Sequence, residues 1–273
     1  MAVAPFPTHT PVRPEDDDNR IALTDPEELD EGRMSFLDHL DELRKRLIAS
    51  VYALLAGCVV AFFFVERIQK FIFVPLHAQL PPGQDFIYTQ GFEPFMLMMK
   101  TGVLAGLLIA SPLIMWQVWL FISPGLYTHE KRFAIPFVLF ASIFFLTGAA
   151  FSHFVAFPWT WQFFLGWTTD YMKFLPNIGD AFSLYVKMLL AFGLIFQMPT
   201  IVFFLARMGV VTAGFLARNT KYAVLIIFII AAVISPGTDV VSQALMAGPM
   251  LALYAFSILV AWVFAKKKQS VEA

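Results

Sequence analysis

SPGLYTHEKR, residues 123–132, sets an acid and two bases between two long apolar runs, 95–122 and 133–157. A bilayer core of about 30 Å needs roughly 20 apolar residues of helix. Both runs reach that length, so the ten residues between them read as a hairpin outside the hydrocarbon, joining two membrane spans. The bulk properties agree: 59% of the 273 residues are hydrophobic and 14% charged, with mean hydropathy +0.70. A soluble domain carries about 25% charged residues, so this chain is built for a different solvent.

Working outward, further apolar runs lie at 47–65, 181–206, 221–234 and 243–265, which makes six spans and an all-α, polytopic integral membrane protein. The run Tyr222–Ile234 is only 13 residues, about 20 Å of helix, and is expected to thin the bilayer or be shielded by its neighbours. Gly248 and Pro249 are expected to shorten the regular part of the last span. The loops 66–93, with Pro75, Pro81, Pro82 and Gly83, and 158–180, with Trp159, Trp161, Trp167 and Tyr171, are expected to lie along the outer surface as a cap.

Orientation follows from the basic residues. With the N-terminus inside, twelve fall on inner segments (among them Arg33, Lys45, Lys131, Arg132, Arg207, Arg218, Lys221 and Lys266) and three on outer loops, Arg67, Lys70 and Lys173. The bias places both termini in the cytoplasm. Residues 1–33, rich in Pro with an acidic run Glu15–Asp18, read as a disordered acidic tail, 34–265 as the membrane domain and 266–273 as a basic tail. Within 35–46, Ser35 and Asp38 mark a helix start, and Phe36, Leu40, Leu43 and Leu47 share one face opposite Asp41, Glu42 and Lys45, an amphipathic lead-in to the first span. No cleavable signal peptide is expected, since the first apolar run starts at Leu47. The lone Cys58 excludes an intrachain disulfide.

Catalytic and cofactor patterns fail in turn. His129-Glu130 continues without the second His of a zinc-protease helix, no G-x-S-x-G elbow is present, and no glycine-rich phosphate loop is found. No metal, cofactor, nucleotide or nucleic-acid partner is expected, and His77 and His153 read as interfacial histidines. Any driving energy must come from the membrane potential or from a partner.

The informative residues are polar groups at the inner edge and inside the spans. Glu42 in DELRKR and Glu130 in THEKR are acids among bases. One reading is self-neutralisation, Glu42 with Arg46 being an i,i+4 pair of a few tenths of a kcal/mol. The other is a pair of carboxylates displayed to a cationic ligand, each accepting a guanidinium fork, with Phe121, Leu126 and Tyr127 reducing screening by water. Within the spans, Lys100, Gln117, Lys187 and Gln197 mark a pathway or a helix contact. The lysines also suit snorkelling to the outer interface. Gln197 stands out, because Pro199 frees a nearby backbone carbonyl.

Taken in order, HLDELRKRL (39–47), SPLIMWQVWLFISPGLYTHEKR (111–132), AFGLIFQMP (191–199), SPGTDVVSQ (235–243) and GPM (248–250) resemble the signature segments of TatC, the polytopic core of the twin-arginine protein translocase. The resemblance runs over roughly residues 35–265. It implies six helices in a concave, glove-shaped bundle in the cell inner membrane. It implies a receptor for signal peptides bearing consecutive arginines, working in an oligomeric complex with TatA-like and TatB-like single-span subunits and with membrane lipid, and exporting folded proteins with the proton-motive force. It further implies that Glu42 and Glu130 face the twin arginines, that Arg44, Arg46, Phe121, Leu126 and Tyr127 shape that surface, that Gln117 and Gln197 serve intramembrane or partner contacts, and that Asp239 orients the outer cap. Two positions depart from the family: Gln197 stands where Glu is common, and the acid usual in the last span is missing around Tyr254-Ala255. The rival readings are a small-solute secondary transporter, which would want paired broken helices and repeat symmetry, a structural scaffold, and, weakest, an intramembrane enzyme.

Overall fold

The computed structural model describes residues 36–122, 134–169, 175–235, 237 and 239–264. Between Arg44 and Lys45 the chain divides into two units. The described part of the first is the opening of α1 (Phe36–Phe63), whose first turn carries Asp38, a favourable charge at the positive end of a helix.

The second unit is helical throughout its regular structure: the rest of α1, then α2 (Val65–His77), α3 (Glu93–Ile122), α4 (Ala134–Phe151), a π-turn (Ser152–Ala156), α5 (Phe157–Leu165), α6 (Ile178–Ile195), α7 (Gln197–Arg207), α8 (Ala213–Arg218), α9 (Thr220–Ile234) and α10 (Val240–Phe264). Among the described residues, five helical stretches are long and apolar enough to span a bilayer: Leu37–Phe63, Glu93–Ile122, Ile135–Leu165, Ile178–Arg207 and Val240–Phe264. The sixth apolar helix, α9, has 15 residues, about 22 Å of rise, and is short as its sequence implies.

Three elements differ from the sequence reading. Residues from Val65 to His77 form helix α2 where a loop is expected from 66, with Ile72 and Leu76 buried. The third membrane stretch runs on past 157 to Leu165, because Phe157, Thr160 and Trp161 are buried against the rest of the unit. α10 is unbroken through Pro249: neighbouring helices in a membrane protein shelter the carbonyl that a proline frees.

The helices pack in a chain of pairs, α2 on α3, α3 on α4, α4 on α6 and α7, and α10 on α7 and α9. Phe157, Phe182, Phe192, Met188 and Met246 are fully buried at its centre. Where α1 crosses α3 the spacer is glycine. A methyl group added to Gly106 would lie 2.7 Å from both the Cα and the N of Cys58, and one added to Gly102 would enter the Phe62 ring. Gly102 and Gly106 form a G-x-x-x-G pair, the spacing that lets membrane helices approach to backbone contact.

The starts of α3 and α6 are tied together at one end. Ile87 donates its N–H to the Pro176 carbonyl at 3.0 Å and accepts from Ile178 at 2.8 Å. Asn177 caps α6 by accepting from the N–H groups of Gly179 and Asp180 at 2.7 and 3.1 Å, and it donates to Glu93 at 3.1 Å. Glu93 also accepts from the backbone N–H and the hydroxyl of Thr89. One carboxylate and one amide thus satisfy helix-end donors that would otherwise be left without partners.

Candidate functional site

The residues singled out in the sequence fall into groups. Glu42 and Arg44 lie on α1 in the first unit. Glu130, Leu126 and Tyr127 lie outside the described residues. Arg46, Gln117 and Phe121 lie in the second unit, and there Arg46 Nη1 reaches Gln117 Oε1 at 3.5 Å, the long limit of a hydrogen bond. The sequence reading gave these two side chains separate roles, one at the surface and one within a span. In the fold they meet, because α1 and α3 run close enough for an arginine stem to cover apolar surface while its head reaches the amide.

An aromatic cluster joins the end of α3 to the start of α4. Trp119, near the end of α3, lies 4.8 Å from Phe137 at the start of α4, and both rings meet Phe204 of α7, at 5.8 and 4.7 Å. Trp119 and Phe137 are buried. Tilted and edge-to-face rings at these separations contribute about 0.5–1.5 kcal/mol per pair beyond their buried area. The last turns of α3 and the first turns of α4 are therefore held together. Trp119 was legible as part of an apolar run but not as an anchor, since nothing in the sequence pairs it with Phe204.

Gln197 is buried, with 6% of its surface exposed, and donates from Nε2 to the Ala141 carbonyl of α4 at 2.8 Å. It sits at the break between α6 and α7, two residues before Pro199, where the helix axis is interrupted at Phe196. Its amide N–H holds α7 to α4 within the unit. Tyr254 donates its hydroxyl to the Leu216 carbonyl at 2.8 Å and ties α10 to α8.

Asp239 caps α10. Its Oδ2 accepts from the Ser242 N–H at 2.7 Å and its Oδ1 from the Ser242 hydroxyl at 2.7 Å, while Ser242 also meets the Ser235 hydroxyl at 2.9 Å. The Ser242 N–H, and then its hydroxyl, hold the Asp239 carboxyl below the usual carboxylate range. Gln243 donates to the Phe228 carbonyl at 2.7 Å and fixes α10 against α9.

The two histidines part company. His77 faces Asp85 at 2.7 Å on an exposed surface. His153, read in the sequence as interfacial, is instead buried at 4% exposure, stacked on Phe71 at 4.6 Å with Nδ1 3.1 Å from the Tyr185 hydroxyl. The helix does not end there: the π-turn turns the ring inward between α2 and α6. Lys100 and Lys187 line one groove between α3 and α6.

Comparison with known proteins matches this arrangement to one family. The model of the Sec-independent protein translocase protein family TatC matches residues 38–249. The TatC protein of Desulforapulum autotrophicum is 43% identical over 243 residues, covering 89% of this chain and 90% of that one; the TatC protein of Aquifex aeolicus is 36% identical, covering 88% and 99%. Among solved structures, a crystal structure of the twin-arginine translocase receptor TatC superposes with a TM-score of 0.71 at 37% identity, covering 82% of this chain and 97% of that one; a second, in the detergent DDM, gives 0.73 at 38%. The family model and these relatives cover most of the chain, and the chain belongs to the TatC family of Sec-independent protein translocase proteins.

Proposed function

We propose that this chain is the receptor and polytopic core of a twin-arginine translocase. The observation that carries the reading is the family match across residues 38–249, inside which both Glu42 and Glu130 fall. The chemistry of those residues supports it. Two carboxylates each accept a planar guanidinium fork, which a lysine ammonium cannot supply, and Arg44, Arg46, Phe121, Leu126 and Tyr127 frame the same surface. The aromatic cluster that holds the end of α3 to the start of α4 is a rigid base of the kind on which binding residues are carried. Gln117, through Arg46, and Gln197, through Ala141, serve as contacts that set the helices a partner would meet. Asp239 orders the α9–α10 connection on the opposite side.

The charge distribution supports an inner-membrane protein with cytoplasmic N- and C-termini, the Glu130 hairpin on the cytoplasmic side and the α9–α10 connection outside. TatA-like and TatB-like single-span subunits join it in an oligomeric complex, and the proton-motive force drives export of the folded cargo. The small-solute transporter reading finds no support in the comparisons.

Cells lacking their own TatC provide the test. Supplied with this chain and the two single-span subunits, they should export a folded precursor bearing Arg-Arg and retain the same precursor bearing Lys-Lys. Equal export of the two precursors would remove the assignment.

A further inference from the structure

Lys100 of α3 and Lys187 of α6 are cations within membrane-spanning helices, and both line one groove of about 510 Å³. Its walls are otherwise apolar apart from Ser183: Val103, Leu107 and Leu190 continue it along the two helices. The Ser183 hydroxyl is already spent on the Gly179 carbonyl, at 2.7 Å. The two lysines stand at similar distances from the starts of their helices. α3 and α6 begin side by side, joined by Asn177 and Glu93, and the lysines follow at seven and nine residues from Glu93 and Ile178, about 10 and 13 Å along the helices.

Among the described residues neither lysine has an ion pair, and the acids earlier on the same helices, Glu93 and Asp180, are each seven residues away, about 10 Å along the helix and beyond pairing distance. Glu93 is already engaged by Thr89 and Asn177. Two like charges in one groove repel, and each is costly next to hydrocarbon without a counter-charge. An anion held between them relieves both effects, and the apolar floor specifies an anion that carries its own hydrocarbon. Snorkelling of the lysine stems brings both ammonium groups to the level where lipid phosphates lie.

We propose that Lys100 and Lys187 together hold the phosphate of one anionic phospholipid, whose acyl chain lies in the groove between α3 and α6. The bound lipid lies in the leaflet on the side of the α2–α3 connection and seals the α3–α6 seam.

The test is native mass spectrometry of the full-length protein, with phosphatidylglycerol and phosphatidylcholine of matched chains offered in competition. The unaltered protein should retain phosphatidylglycerol preferentially. Each Lys→Gln change should weaken that retention roughly fivefold, and K100Q/K187Q roughly thirtyfold, with phosphatidylcholine unaffected. K100R/K187R keeps both charges and should keep the lipid, and R218Q, which removes a charge elsewhere, should change nothing. Equal retention of the two lipids by the unaltered protein would overturn the site, as would undiminished phosphatidylglycerol on K100Q/K187Q. Displacement of the lipid by inorganic phosphate at equal concentration would show that the groove holds a free anion instead.

Discussion

Gly106→Ala and Gly248→Ala are the same chemical change in two membrane helices, and the structure gives them opposite signs. At Gly106 the new methyl would lie 2.7 Å from the backbone N and Cα of Cys58 on α1. Those atoms belong to a helix and cannot rotate aside, so α1 must move off α3 by most of an ångström. Overpacking of this kind costs about 1–3 kcal/mol, against which better helix propensity returns at most about 1 kcal/mol. At Gly248, within α10, a methyl meets nothing within 4 Å, so only the propensity gain remains. For a chain of this size about 1 kcal/mol moves Tm by roughly 2–4 °C. Thermal unfolding in one detergent should therefore place Gly106→Ala several degrees below the unaltered protein and Gly248→Ala at or slightly above it. Equal shifts for the two variants would refute the close α1–α3 crossing.

Gln197→Leu removes the bond to the Ala141 carbonyl and should destabilise by about 0.6–1.7 kcal/mol, the range for interhelical hydrogen bonds in membranes; a Tm equal to the unaltered protein's would show that the amide holds nothing. Asp239, held below the usual carboxylate range by Ser242, is ionised in the fold at pH values where the unfolded chain has begun to take up a proton. Its contribution is present above the unfolded pKa, about 3.9, and is lost as pH falls through the lower folded value. Asp239→Asn should keep the capping acceptor but flatten that part of the acid limb of a Tm–pH curve, and an unchanged limb would contradict the cap. Inserting four leucines into α9 brings it to about 28 Å; cargo export should fall while signal-peptide binding stays, if the short span assists passage by thinning the bilayer.

Much of the architecture was legible in the chain because hydrocarbon solvent imposes a simple rule: long apolar runs must be helices, and charges mark their ends. The short α9 was readable for the same reason, whereas Asp239 came into view only through the family resemblance. Elements that depend on partners distant in sequence were not. The loop expected from 66 became α2 because Ile72 and Leu76 found a core to fill. His153 turned inward because Phe71 and Tyr185 were waiting on other helices. Trp119 and Phe204 are 85 positions apart, and no periodicity joins them. The G-x-x-x-G of Gly102 and Gly106 signals close helix approach in the sequence, but nothing in it names Cys58 and Phe62 of α1 as what approaches. At the candidate site the residue types were readable, since an acid among bases at a span's end asks for an explanation. Which groups meet was not, as Arg46 with Gln117 shows.

The most direct test of the receptor reading is the binding of a synthetic signal peptide carrying Arg-Arg, and of its Lys-Lys counterpart, to the full-length protein in detergent. Glu42→Ala and Glu130→Ala are measured alongside. Loss of one charge-assisted fork should weaken binding about tenfold. The unaltered protein should prefer Arg-Arg, and each substitution should remove that preference. If all three proteins bound the two peptides equally, the acids would be structural neutralisers of their basic neighbours, and the receptor assignment of Glu42 and Glu130 would be contradicted.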